Sequence, residues 1–94
     1  MLDKMKQIME MKKQADQIKR ELDQVAVEVN DVRGIKIVIS GSQDFRSLEI
    51  DENLWTAQDK NRLQADLLKS INAAIKKSQA AAAQKMAAYM PGLS

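Results

Sequence analysis

Hydrophobic and polar residues alternate over residues 35–51, IKIVISGSQDFRSLEID, and this stretch predicts a β-hairpin. Three isoleucines occupy every second position of its first half, which is the period of a half-buried strand. Residues 41–44 form a polar break that begins with Gly41, the residue type that accepts a positive φ at least cost. Leu48 and Ile50 then continue the alternation, so a second strand returns beside the first.

A further period-two stretch, residues 25–29, precedes this hairpin and predicts a first strand. Asn30, Asp31 and Gly34 bracket the turn between them. We therefore expect a three-stranded antiparallel meander, with Val38 and Phe45 as apolar exceptions on its polar face. The predicted apolar face, which helices would cover, contains Val25, Val27, Val29, Ile35, Ile37, Ile39, Leu48 and Ile50.

Residues 2–24 show the spacing of an amphipathic helix. Apolar residues recur at the first and fourth positions of a heptad, and Met5 and Met9 widen the stripe. Flexible packing at a helix seam accounts for these methionines better than a metal or cofactor role. The two rows are Ile8, Ala15 and Leu22, and Met11, Ile18 and Val25.

The chain leaves the predicted sheet at residues 51–55, as a turn with Leu54 or Trp55 against the core. Thr56 is the expected N-cap of a second helix over residues 57–89, with Asp59 in its first turn. That helix would be about 50 Å long, and Pro91-Gly92 would end it. Its predicted apolar stripe contains Leu63, Leu67, Leu68, Ile71, Ala74, Ile75, Ala82, Met86 and Tyr89.

Both predicted helices are longer than the sheet that they cover. A six-residue strand spans only about 20 Å, so the apolar stripes continue past it. Another chain, or packing of one helix on the other in an arm, would have to bury the remainder. A 94-residue chain with three aromatic residues has a thin core, which also favours oligomerisation. We therefore expect a homodimer with projecting helical arms.

The order and spacing of these segments resemble the YbaB/EbfC family of bacterial nucleoid-associated proteins. Shared features follow along the chain, although the first hairpin has one glycine where the family usually has several. The resemblance implies a single domain over residues 1–94, with an α+β, two-layer α-β-β-β-α fold and a dimeric, tweezer-like body. The matching residues are Ile35, Ile37, Ile39, Gly41, Leu48, Glu49, Ile50 and Asp51, then Leu63, Leu67, Leu68, Asn72, Ala73, Ala74, Lys76, Lys77, Lys85, Met86, Pro91, Gly92 and Leu93.

The composition argues against an enzyme. Cysteine and histidine are both absent, so thiolate catalysis, disulfides and the commonest general base are excluded. Three glycines cannot build a nucleotide-binding loop. We expect no cofactor, no metal site, no small-molecule substrate and no membrane partner. The charged first residues do not predict a secretory signal, and the expected location is the bacterial cytoplasm and its nucleoid.

Positive charge is concentrated towards the end of the chain, where residues 57–94 carry net +4. From charge alone, lysines that merely solvate long amphipathic helices are the better explanation. The family resemblance instead implies binding of double-stranded DNA, with little sequence specificity, through the helical arms. The candidate DNA-binding residues are Lys6, Lys12, Lys13, Lys19, Arg20, Lys69, Lys76, Lys77 and Lys85.

A second hypothesis belongs to another functional class. The methionine- and alanine-rich arms would also suit a small scaffold or chaperone-like protein that grips protein partners. A gel-retardation assay with unrelated DNA duplexes separates the two hypotheses.

Overall fold

A computed structural model describes residues 2–57 and 60–89 of the chain. A helix, three antiparallel strands in one sheet and a long final helix confirm the predicted α+β meander. One short helix, α2 (Glu52–Ala57), was not expected. The elements are α1 (Leu2–Gln24), β1 (Ala26–Val29), β2 (Ile35–Ser40), β3 (Phe45–Ile50), α2 (Glu52–Ala57) and α3 (Lys60–Tyr89).

The register of the sheet places the predicted apolar residues on one face. Ile37 in the central strand β2 lies opposite Val29 of β1 and Leu48 of β3. Paired residues share a face, and this face packs against α3. Leu48, in the edge strand β3, remains 53% exposed. The buried hydrophobic residues are Val29, Ile35, Ile37, Ile39 and Ala74.

A β-bulge in β3 corrects the prediction for Phe45. Val38 pairs with Ser47 whereas Ile39 pairs with Phe45, so Arg46 is an extra residue in β3. An extra residue moves the side chains beyond it to the other face. Phe45 therefore shares the face of Ile39, and its assignment to the polar face was wrong.

Small side chains bring α3 onto the sheet. Ser70, Ala74 and Ser78 recur every fourth residue, and all three are buried. The Ser78 hydroxyl donates a 2.7 Å hydrogen bond to the carbonyl of Ser40 at the end of β2. The Ser70 hydroxyl is satisfied within the helix, where it donates to the carbonyl of Asp66 at 2.9 Å. Hydroxyl groups with partners can replace hydrocarbon at such a contact.

The apolar stripe predicted for α3 is correct only in part. Ala74 is buried, and Leu67 packs against the core. Leu68, at 62% exposure, Ile71 and Met86 are instead exposed. Ser70 and Ser78 occupy positions that contact the sheet, so several residues of the predicted apolar stripe face solvent instead.

The connection between β3 and α3 differs from the prediction. Asp51 is the residue that caps, because its carboxylate accepts a 3.2 Å hydrogen bond from the Asn53 amide and starts α2 there. Thr56 lies inside α2, and its hydroxyl donates to the carbonyl of Glu52 at 3.1 Å, so its assignment as an N-cap was wrong. Leu54 packs against the core, whereas Trp55 is 65% exposed. Asp59 and the predicted Pro91-Gly92 stop lie outside the described residues.

The end of α1 contacts the turn between β2 and β3. We call this contact, formed by Leu22 and Asp23 of α1 with Gly41 and Ser42 of the turn, the α1 root. The Gly41 amide donates a 2.9 Å hydrogen bond to the carbonyl of Leu22. A β-carbon on Gly41 would lie 3.0 Å from that oxygen, so glycine permits this approach. The positive φ of the turn, 64°, belongs to Gln43 instead.

The molecule is long and thin. Its dimensions are 65 × 23 × 18 Å, with a radius of gyration of 18.4 Å, against about 12 Å for a compact chain of this length. No residue of α1 is buried. The chain buries only its sheet face and the part of α3 above it, and it leaves α1 as a projecting arm.

Candidate nucleic-acid interface

Three bases lie in one row along α1. Lys6, Lys13 and Arg20 are seven residues apart and all exposed. Seven residues make nearly two helical turns, so the three side chains share a face and follow one another at about 10 Å. This α1 basic row lies opposite the apolar heptad positions, and a polyanion on it would not touch the apolar side chains.

Two amides extend the α1 basic row. Gln17 and Gln24 line one shallow concavity together with Lys13, Arg20 and Glu21. Glutamine amides donate hydrogen bonds to phosphate oxygens. Composition gave no reason to single these glutamines out, but their seven-residue spacing beside the basic row could have identified them.

The remaining bases of α1 lie at the edge of its apolar face. Lys12 and Lys19 are seven residues apart, on the flank of the row formed by Ile8 and Ala15. Lys19 lines a groove whose other wall includes Met86 of α3. The structure therefore separates the α1 candidates into two sets on different faces of the helix.

On α3, two lysines point away from the sheet and one is engaged. Lys69 and Lys76 are exposed and seven residues apart, on the side of the helix opposite buried Ala74. The Lys77 ammonium lies 2.6 Å from a carboxylate oxygen of Asp31, in the turn between β1 and β2. Lys77 is thus partly neutralised by a partner from the sheet. Lys85 is exposed near the end of α3.

Glu28 and Tyr89, which lie outside the α1 basic row, have shifted pKa values. A hydrogen bond from Asn30, and then the positive charge of Lys36, hold the pKa of Glu28 below its usual range. The Tyr89 hydroxyl donates a 2.5 Å hydrogen bond to the Glu21 carboxylate, and this bond raises the pKa of Tyr89. The second contact joins the end of α3 to α1 close to the α1 root.

Comparison with protein families decides what these basic helices belong to. The model of the YbaB/EbfC DNA-binding family matches residues 1–93. The chain belongs to the YbaB/EbfC DNA-binding family. Membership confirms the resemblance drawn from the order and spacing of segments along the chain, and it supports a nucleoid-associated, DNA-binding role. DNA-binding families are normally not enzymes.

A solved structure supports the same fold. The chain resembles the uncharacterized protein HP0035 from Helicobacter pylori, with a TM-score of 0.75 and 21% sequence identity over 90% of this chain and 89% of that one. At this identity the likeness concerns the fold alone. No curated protein matches the sequence.

Within residues 2–57 and 60–89, none of the helices has the length and apolar character needed to cross a membrane. Nor do these residues bring three acidic side chains close enough together to hold a metal ion.

Proposed function

We propose that the protein is a single-domain nucleoid-associated protein that binds double-stranded DNA, with little sequence specificity, through the basic faces of α1 and α3. The observation that carries the proposal is the match of a DNA-binding family over residues 1–93. The bacterial cytoplasm, at the nucleoid, is the corresponding location.

The placement of the bases supports binding to phosphates. The α1 basic row and the pair Lys69 and Lys76 have exposed side chains on helix faces turned away from the core. Flexible ammonium groups at intervals of about 10 Å suit a repeating phosphate backbone, which carries no sequence information. Low sequence specificity follows from this type of contact.

The acting species is a homodimer in this proposal. The groove beside Ile37 is lined by Phe45, Leu48 and Ile71, and Leu68 lies one turn from Ile71 on α3. We call Phe45, Leu48, Leu68 and Ile71 the β3–α3 patch; all four are exposed. Apolar side chains gathered at an edge strand favour a second chain there, and two copies would double the basic surface.

A DNA titration of a charge-reversed variant tests the DNA-binding proposal. The parent protein should bind unrelated duplexes with similar affinity, and binding should weaken steeply with salt. Lys69→Glu with Lys76→Glu should bind less, and the logarithmic salt slope should fall by about one unit for each lysine that no longer binds a phosphate. Lys77 is a poorer target, because its substitution by glutamate would also break the pair with Asp31.

The matched control is Arg33→Glu with Lys60→Glu, which changes the net charge equally at two exposed bases outside the proposed DNA-binding residues. This variant should retain most of the binding. Equal losses in both variants would show that total charge matters and not the faces of the helices. A parent protein that binds no duplex would refute DNA binding altogether.

Light scattering tests the dimer. The parent protein should have about twice its 10.6 kDa chain mass at micromolar concentration. Leu48→Gln with Leu68→Gln should give the mass of one chain, because it places amides in the β3–α3 patch. Met9→Gln, an exposed residue on α1, should stay dimeric. A parent that scatters as a monomer would refute the dimer, and a dimeric double variant would move its interface elsewhere.

A further inference from the structure

The apolar face of α1 is not covered by the sheet, and it takes no part in the proposed DNA binding. None of its residues is buried. We call Ile8, Met11, Ala15 and Ile18 the α1 seam. Met11 is 69% exposed, and Ile8 is exposed as well. The seam is a continuous line at heptad spacing, the pattern that packs against another helix.

One wall of a groove beside the α1 seam is contributed by α3. Met86 and Tyr89 of α3 line the groove together with Met11, Ile18 and Leu22. The hydrogen bond from Tyr89 to Glu21 holds that wall in place. A guest helix would therefore contact α1 along its length and α3 at the inner end.

The edges of the α1 seam carry unequal charge. Lys12 and Lys19 lie on one edge, and Gln7, Gln14 and Glu21 lie on the other. The Glu21 carboxylate accepts the Tyr89 hydrogen bond, and the positive edge, that of Lys12 and Lys19, is the one that would attract the carboxylates of another helix. Charges at these edge positions set the partner and orientation of a helix pair.

Neither DNA nor the α1 helix of a second copy satisfies this surface. DNA gains nothing from an apolar stripe, and the α1 basic row that suits phosphates lies on the opposite side of the helix. In an antiparallel pair of α1 helices, Lys12 and Lys19 would face the same lysines of the other copy. In a parallel pair they would face Gln7 and Gln14, with no charge gained.

We propose that the α1 seam binds an amphipathic α-helix of a partner protein, one that presents carboxylates to Lys12 and Lys19. Its apolar residues would cover Met11 and Ile18, and its acidic flank would neutralise the positive edge. The α1 arm would then bind DNA on one face and a protein on the other. The proposal does not depend on DNA binding, because the two faces share no residue.

Model peptides supply the probe. An acidic peptide of three heptads, with leucine at the two apolar positions and glutamate at both edge positions, is labelled with a fluorophore. Its counterpart has lysine in place of every glutamate. Fluorescence anisotropy is measured with the full chain at about 0.15 M salt, where charges further apart than about 8 Å are screened. The acidic peptide should bind at micromolar concentration, and the basic peptide at least about tenfold more weakly.

Charge reversal locates the binding face. Lys12→Glu with Lys19→Glu should exchange the preference, so that the basic peptide becomes the tighter ligand. Lys6→Glu with Lys13→Glu, on the opposite face, should lower DNA binding and change peptide affinity by less than about twofold. The two functions are thus separated within one helix.

Substitution of the apolar residues tests the seam itself. Met11→Gln with Ile18→Gln should abolish peptide binding while circular dichroism stays helical, because glutamine is a good helix former. Equal binding of both peptides, or equal loss in the Lys6 and Lys13 variant, would overturn the proposal. A Met11 and Ile18 variant that turns a dimeric parent into a monomer would also overturn it, because the α1 seam would then belong to the second copy.

Discussion

Truncation of Ile37 measures how much of the stability depends on the small core. Ile37 is in the central strand, 1% exposed, and faces α3. Val38 follows it in sequence but points to the opposite face, where it is half-buried. Ile37→Ala and Val38→Ala therefore compare two neighbouring residues that differ mainly in the face of the sheet.

The structure sets the size of the expected difference. Replacement of a buried isoleucine by alanine costs about 2–5 kcal/mol, and the cost falls where neighbours can close the cavity. Ile37 borders the open groove that Leu48 and Ile71 line, so its surroundings can relax and a loss of about 3 kcal/mol is expected. Val38→Ala removes a smaller and partly hydrated side chain, which should cost about 1 kcal/mol. For a small domain with few buried residues, the first loss is a large fraction of the total stability.

Urea denaturation followed by circular dichroism measures both variants. All samples need the same protein concentration, because the stability of the proposed dimer would depend on it. The midpoint should fall further for Ile37→Ala, with a similar slope in every variant. A larger loss for Val38→Ala would contradict the face assignment, and would indicate that the outer face is buried against another chain.

Two further predictions concern the α1 root and the contact of α3 with α1. The phenol of Tyr89, the only tyrosine in the chain, should titrate above its ordinary pKa by phenolate absorbance, and Glu21→Gln should bring its midpoint down. Because the folded state raises this pKa, the stabilising contribution is present below about pH 10 and is lost as the pH rises through the folded value. Gly41→Ala should cost about 1–3 kcal/mol in the same urea assay, because its β-carbon would lie 3.0 Å from the Leu22 carbonyl oxygen; an unchanged midpoint would refute the need for close approach.

Periodicity was sufficient for the main elements. Alternation over residues 35–40 is a local pattern with one buried face, and it predicted β2 with its bounds. The heptad spacing of residues 2–24 likewise predicted α1. Both patterns lie within one element, so no knowledge of distant residues was needed.

The errors arose where a second element decides the outcome. Nothing local distinguishes Phe45 in a regular strand from Phe45 before a bulge, since the bulge depends on how β3 pairs with β2. Thr56 is a good capping residue by type, but Asp51 comes earlier and starts a helix first. Ser78 is polar, and only its hydrogen bond to the Ser40 carbonyl permits its burial.

The candidate site was predictable in kind but not in arrangement. A list of bases does not indicate that Lys77 pairs with Asp31, which is 46 residues away. Once the fold fixes the apolar face of α1, the spacing shows which bases lie in the α1 basic row and which lie at the edge of the α1 seam. The family resemblance indicated DNA as the binding partner, which the charge pattern alone could not indicate.

Helix α1 is attached to the sheet at its C-terminal end, and the rest of the helix projects from there. Besides the Gly41 contact, the Ser42 hydroxyl donates to the Asp23 carboxylate, and the Arg46 guanidinium donates to the Asp23 carbonyl at 3.1 Å. A helix of 23 residues is about 35 Å long, so a rotation of about 5° at the α1 root would move its N-terminal end by about 3 Å. A small rotation at these few contacts would therefore reposition the far end of α1 without bending the helix.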